Sequence, residues 1–300
     1  MSLANTVADQ ESGGTRALDH YIIQVHDLKE AGESYGRLGF RVLPRMVHED
    51  IGCANRVAQF KNTYLELLGD LDLAPREMMK EYLPRFECGE GLSHVSLRSF
   101  DLEADHQAAG NLGLNPDTPR NARRKVVMPD ASVQETNSHC FYMWRQDRLY
   151  LSLFLSIHYK PEIIWVPEYQ QHPNTAIDTI EVTYVSDDPQ KDRNYFSKLY
   201  RTGAAVDSAG LVEFRGNRGD IAAVCSREKI HERYAPLGID VCDCQPGYPV
   251  GLSFSVGSLE QCKSVLDKGG VRYERAEGRL LVSPDEAHGV VIEFVQLDSA

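Results

Sequence analysis

The stretch ALDHYIIQV (Ala17–Val25) has a near copy, AIDTIEVTYV, beginning at Ala176, and this repetition decides how the chain is read. Two weaker echoes accompany it, GLSHVSLRSF from Gly91 and GLSFSVGS from Gly251. In each phrase the alternation of apolar residues predicts a strand with one buried face. Each then runs into a helical pattern, with an Asp or Ser placed to cap the first turn. These helices are expected to stop at or near Gly39, Gly113, Gly203 and Gly269, where a left-handed cap suits glycine.

Further strand-like runs follow each helix. In the first unit they are FRVLPRMVHED, RVAQFK and TYLELLG; in the third, GLVEFRG and DIAAVCS; in the fourth, VRYERAEG, RLLVS and GVVIEFVQ. Each unit therefore reads β-α-β-β-β. A unit of this size cannot enclose a core alone, so the four should pair. Units one and two make a domain over 16–160, and units three and four a second over 176–300. The stretch 161–175, rich in proline and aromatics, is a structured linker, and 1–15 is a disordered tail.

Composition narrows the function. Of 300 residues, 42% are hydrophobic and 25% charged, as in a soluble globular protein. No apolar run is long enough to span a bilayer, and the N-terminus lacks the basic and apolar regions of a secretory signal. A formal charge of −12 argues against a nucleic-acid partner. The one basic cluster, RNARRKVV (Arg120–Val127), reads as a solvated strand edge or loop, with the binding of an anionic substrate as the alternative. Seven scattered cysteines are no disulfide framework, which points to a reducing, cytoplasmic setting. Cys242 and Cys244 have the wrong spacing for a zinc site. Phosphate-binding and nucleophile-elbow motifs do not occur.

The layout, together with the motifs LDH…DL…Y…LGF and YLELL, resembles the vicinal oxygen chelate superfamily, which includes glyoxalase I, extradiol dioxygenases and fosfomycin or bleomycin resistance proteins. The resemblance covers nearly the whole chain, and HYKPEIIWVPEYQQHPN is similar to a segment common in glyoxalase-like members. It implies an α+β fold in which four βαβββ modules form two tandem glyoxalase-like domains with curled, cup-shaped mixed sheets. It also implies a divalent metal inside a cup, held by the first and last strands of the paired units.

On that resemblance the four first-strand positions carry His20, His94, Thr179 and Phe254. The last-strand positions carry Glu66 in unit one and Glu293 in unit four. Unit three offers Ala222 or Ala223, and unit two Ser152 or Ser156, depending on register. The first domain is thus expected to hold one divalent ion (Fe, Mn, Zn, Ni or Co) through His20, Glu66 and His94. Two imidazoles and one carboxylate leave open coordination positions, the condition for Lewis-acid or oxygen chemistry. The second domain is expected to be degenerate, with the bulk of Phe254 filling its cup. The competing reading is structural: a lone strand histidine is commonly a hydrogen-bonded core residue, and Glu293 repeats the carboxylate pattern without any histidine.

Beside the ligands, Glu66 and His158 are the candidate catalytic residues, and Asn55, Ser152 and Ser156 the candidate substrate contacts. His158 shares strand parity with both serines, about 7 Å beyond Ser156 on the same face. His172 and Asn174 are expected to fix the turn into the second domain; His26, His48, His106, His139, His231 and His288 are expected to be surface or structural. The functional expectation is a divalent-metal-dependent glyoxalase- or dioxygenase-like enzyme acting on a small oxygen-chelating substrate. The alternative is a metal-free protein of the same fold that binds or sequesters a small molecule. No membrane partner is expected; a homodimer and a monomeric pseudo-dimer are both compatible with the sequence.

Overall fold

The computed structural model describes residues 14–48, 52–71, 82–143, 153–238, 240 and 249–297. Most of the expected tail, Ser152, Cys242 and Cys244 lie outside the described residues. Unit one gives β1 (Leu18–Gln24), α1 (Leu28–Arg37), β2 (Met46–His48), β3 (Cys53–Gln59) and β4 (Tyr64–Gly69). The short α2 (Leu83–Cys88) leads into unit two, with β5 (Gly91–Arg98), α3 (Leu102–Asn111), β6 (Arg120–Asn121), the hairpin β7 (Lys125–Val127) and β8 (Val133–Glu135), β9 (Ser138–Met143) and β10 (Leu153–His158). After α4 (Pro161–Ile164) and a 3-10 turn come β11 (Ala176–Ser186), α5 (Pro189–Tyr200), β12 (Val206–Ser208), β13 (Leu211–Arg215), β14 (Ile221–Ser226) and α6 (Arg227–Tyr234). Unit four supplies β15 (Pro249–Val256), α7 (Leu259–Gly269), β16 (Tyr273–Ala276), β17 (Arg279–Val282) and β18 (Val291–Gln296).

These strands form two eight-stranded mixed sheets in tandem, β2-β3-β4-β1-β5-β10-β9-β6 and β12-β13-β14-β11-β15-β18-β17-β16. At the centre of each, the first strands of two units lie antiparallel, β1 beside β5 and β11 beside β15. Each first strand runs parallel to the last long strand of its own unit. Units one and two therefore share one curled sheet, and units three and four the other, in an α+β fold of four repeated modules. Among the described residues no helix is long and apolar enough to cross a membrane.

Local chemistry sets the repeated helices. Asp27, Asp101, Asp188 and Ser258 cap them by accepting hydrogen bonds from first-turn amides. Gly39 and Gly113 take the left-handed conformation just beyond their helices, as expected. In unit three that conformation falls on Arg201 instead of Gly203, and in unit four on Gly270, one residue beyond Gly269. α5 thus ends two residues short of its glycine, with Tyr200 buried in the core, and α7 runs one residue past the expected stop.

Alternation on β1 separates two faces. Tyr21, Ile23 and Val25 join a core that also contains Leu28, Ala31 and Tyr35 of α1, while His20 and Ile22 face the concavity of the sheet. That core is continuous with the corresponding core of the second sheet. Thr179 and Phe254 belong to this junction: the Tyr21 and Thr179 hydroxyls are 2.6 Å apart, and Phe254 packs on Phe40 and Phe60. Phe254 therefore does not fill the second cup. The register shift on β11 between Thr179 and Glu181 turns Thr179 to the other face. Phe254 pairs with Phe294, one residue along from the Ser253–Glu293 pair, so it takes the face opposite to Glu293.

The second cup is closed by charge instead. Arg233 of α6 pairs with Glu181 (2.5 Å) and Glu293 (3.1 Å), and Arg279 reaches Glu293 at 3.3 Å. Tyr234 beside it donates to the Thr183 hydroxyl at 3.2 Å. Glu293 thus finds arginines where a metal-binding cup would offer an ion.

Candidate active site in the first cup

A cavity of about 450 Å³, its mouth included, opens on the concave face of the first sheet. His20 and Ile22 come from β1, Tyr64, Glu66 and Leu68 from β4, and Phe154, Ser156 and His158 from β10, each set spaced by two as one strand face requires. His48 and Cys53 of β2 and β3, Ser138, Cys140 and Tyr142 of β9, and Arg124 complete much of the wall. The linker shuts one side: Ile163, Ile164, Val166 and Tyr169 pack with Val57 and Tyr64, and Trp165 lies edge-on to His158.

His20 is oriented by its neighbour in sequence. Its Nδ1–H donates to Asp19 Oδ1 at 2.6 Å, and its ring stacks on Tyr64 with centroids 4.2 Å apart. The Nε2 lone pair is left for the cavity. The same Asp19 oxygen accepts from His158 Nε2 at 2.8 Å, and His158 Nδ1 accepts from the Ser138 hydroxyl at 2.7 Å. Asp19 Oδ2 accepts from Arg98 at 2.9 Å. Burial alone would raise the Asp19 carboxyl, but His158, Arg98 and His20 overcome it and hold the group well below the ordinary carboxylate range. Burial also lowers His20 from its usual value, against the opposing pull of Asp19. The ligand atoms of Asp19, His20 and His158 lie within 4.8 Å of one another, the compact group of metal-capable side chains among the described residues.

Glu66 stands on the neighbouring strand. Its Oε1 accepts from Asn55 Nδ2 at 2.5 Å and lies 3.5 Å from His48 Nε2. Burial opposes its ionisation, yet His48, with Arg124 and His20, brings it down to about 2, so the carboxylate is charged at neutral pH. Asn55 Nδ2 also lies 2.9 Å from His48 Nε2, and His48 Nδ1 is buried without a hydrogen-bond partner. Asn55 thus touches Glu66 and does not line the cavity itself.

His94 lies deeper. Its ring packs on Tyr82, Tyr142 and Phe154, with centroids 4.8, 5.5 and 6.3 Å away, and neither ring nitrogen has a hydrogen-bond partner. Burial lowers it to about 3, so it is a neutral imidazole. It is not in the cavity wall, and its nitrogens do not group with those of His20 and Glu66 within 4.8 Å.

The register explains why. Ile22 faces Glu66 across β1 and β4, and Ser96 faces Phe154 across β5 and β10. Ile22 and Ser96 each stand two residues beyond the repeat histidines, so Phe154 is the second-unit counterpart of Glu66. The fourth corner is phenylalanine, and Ser156 does not occupy it. Ser156 lies one step further along the same face, in the wall, its hydroxyl 2.9 Å from that of Ser96. His158 follows it there, as strand parity requires.

Sequence reasoning missed Asp19, took His48 as surface or structural, and gave Arg124 anion binding only as the alternative for its basic cluster. Asp19 carried a signal, a charge between apolar residues inside a strand. His48 sits on a three-residue edge strand with no periodicity to place it. Arg124 was masked by the charged residues around it in the basic cluster, which is not a solvated edge at this position: Arg124 is 6% exposed.

Paired modules with a polar cup on the first sheet define a protein of the vicinal oxygen chelate type. The family model for the glyoxalase-like domain matches residues 18–200, more than half of the chain. The chain belongs to the glyoxalase-like family of that superfamily. No curated protein sequence matches it. Among solved structures it is similar to a hypothetical protein from Staphylococcus aureus, with a TM-score of 0.67 and 11% identity over 93% of this chain and 99% of the other. It is also similar to a variant of 4-hydroxymandelate synthase from Streptomyces coelicolor (TM-score 0.60, 11% identity, 96% of this chain and 94% of that one). The homoprotocatechuate 2,3-dioxygenase of Arthrobacter globiformis gives a TM-score of 0.55 at 15% identity, over 96% and 81% of the two chains. At these identities the likeness is one of fold.

Proposed function

We propose that the first cup is the active site of a divalent-metal-dependent enzyme, glyoxalase- or dioxygenase-like in its chemistry, that acts on a small substrate offering two neighbouring oxygens. The observation that carries this reading is the His20–Asp19 hydrogen bond beside an ionised Glu66. A histidine that ligates a metal almost always gives its other N–H to a carboxylate or carbonyl, which fixes both tautomer and ring. His20 has that arrangement, with Nε2 turned to the cavity.

His20 and Glu66 fit a divalent ion in donor chemistry, an imidazole lone pair and a charged carboxylate. His94 is the third donor in this reading. Two buried nitrogens without partners are costly, and an ion would give one of them a partner. A bound Zn, Mn, Ni or Co supplies Lewis acidity toward substrate oxygens, and iron(II) adds reaction with dioxygen.

The chain's own groups handle orientation and protons. Ser138 and Ser156 present hydroxyls to a substrate oxygen. A proton leaving the substrate passes to Ser138 Oγ as the hydroxyl proton moves to His158 Nδ1, and Asp19 stabilises the imidazolium formed. Asn55 and His48 hold Glu66 in one rotamer. The linker and the aromatic wall keep bulk water out, which strengthens each of these interactions.

The test is cobalt(II) titration of the metal-free protein, read by visible absorption. His20→Ala, Glu66→Gln and His94→Ala should each change or abolish the ligand-field bands. Bands that survive all three substitutions would overturn the ligand set. Absence of any bound cobalt would favour the metal-free binding protein.

A further inference from the structure

Arg124 lies in the loop between β6 and β7, yet it is buried. Its backbone is clasped by Thr136: the amide donates to Thr136 Oγ1 at 3.0 Å, and the carbonyl accepts from the Thr136 amide at 2.9 Å. The side chain enters the first cup beside Glu66 and Ser138, its guanidinium 5.5 Å from the centre of the Tyr64 ring. Nε is buried without a hydrogen-bond partner. Among the described residues no carboxylate lies within ion-pairing reach of it.

Buried Arg16 differs, since it pairs with Asp105 at 2.8 Å. Arg124 meets a tyrosine hydroxyl, that of Tyr64. A buried cation without a close anion is among the costlier things a fold can carry. Glu66 is the carboxylate whose field it feels, and that group is engaged by Asn55 and His48, and by the metal in the reading above.

We infer that Arg124 anchors the carboxylate of the substrate, and that the substrate is a small organic acid with a planar body held between Tyr64, Tyr142 and Phe154. This rests on the first cup being the active site. The planar guanidinium matches two carboxylate oxygens in a fork that a point charge cannot supply. Tyr142 and Phe154 stack on each other, with centroids 4.8 Å apart, and line the cavity as one rigid aromatic block against which the body would lie.

The experiment uses chelator-treated, metal-free full-length protein, so that it stands whether or not a metal binds. Salicylate and salicylamide, near-identical in shape and different in charge, are titrated by calorimetry. Salicylate should bind and salicylamide should bind at least ~10-fold more weakly; Arg124→Gln should lose at least ~30-fold in salicylate affinity, the scale for a buried charge pair left with one partner. Arg124→Met, read by thermal unfolding without ligand, should unfold at or above the wild-type temperature, because an unpaired buried cation has been removed. Equal binding of the two probes, no saturable salicylate binding up to on the order of 10 mM, or unchanged binding in Arg124→Gln would overturn the inference. So would a lowered unfolding temperature in Arg124→Met, which would mark a structural arginine.

Discussion

One oxygen of Asp19 accepts from both His20 and His158, and the other accepts from Arg98, so a single buried carboxylate sets two tautomers in the first cup. Asp19 is in this sense a positioning residue. Asp19→Asn keeps the shape and removes the charge that fixes the His20 proton on Nδ1. Metal affinity should fall about 10- to 100-fold, the usual effect of losing such a partner, while the ligands themselves stay in place. Competition against a chromophoric chelator measures this. An unchanged affinity would mean that Asp19 orients nothing that holds metal.

At the scale of elements, α1 and α7 approach closely because Gly269 has no side chain: a Cβ there would run into the Arg37 carbonyl. Gly269→Ala should therefore destabilise by roughly 1–3 kcal/mol, as overpacking does. Gly36→Ala on the same α1, where nothing lies within 4 Å, should stabilise by up to about 1 kcal/mol. Urea unfolding of the pair distinguishes a packing constraint from a general intolerance of alanine. The second cup makes a matching prediction. Arg233→Met leaves Glu181 without its arginine and Glu293 with Arg279 alone, and should cost up to about 3–5 kcal/mol, without change in bound metal. The paired units, the strand faces and the capped helices were legible in the sequence, since repetition, period and capping chemistry are local signals. What was not legible is register. Phe154 in place of a serine, and Thr179 and Phe254 turned into the junction, follow from strand alignment and irregular pairing that parity leaves open. Glu66, His20, Ser156 and His158 were recognised because they share one face; His48 and Arg124 come from an edge strand and a loop, which carry no periodicity.

Across the whole molecule, the two sheets share one core, and Asp220 is among the ionisable groups at their junction. The Leu18 amide donates to Asp220 Oδ2 at 3.0 Å, linking β1 to the turn before β14, while Asp220 Oδ1 has no hydrogen-bond partner. Burial raises Asp220 to about 6. A carboxyl whose folded value lies above its unfolded value, near 4, favours the folded state while protonated. That contribution is present below about pH 4 and is lost as pH rises to 6. Asp220→Asn keeps an acceptor for Leu18 and should remove this slope, leaving the variant more stable at pH 7 by on the order of 1–3 kcal/mol. Thermal unfolding from pH 4 to 7 reads it, and parallel curves for the two proteins would contradict it. Elemental analysis of the purified protein, beside a His20→Ala/His94→Ala variant, tests whether the first cup and not the second holds a divalent ion. About one equivalent of iron, manganese, nickel, cobalt or zinc, absent from the double variant, is the predicted result. No metal in the wild-type protein after anaerobic reconstitution, or an equal amount in the double variant, would contradict it.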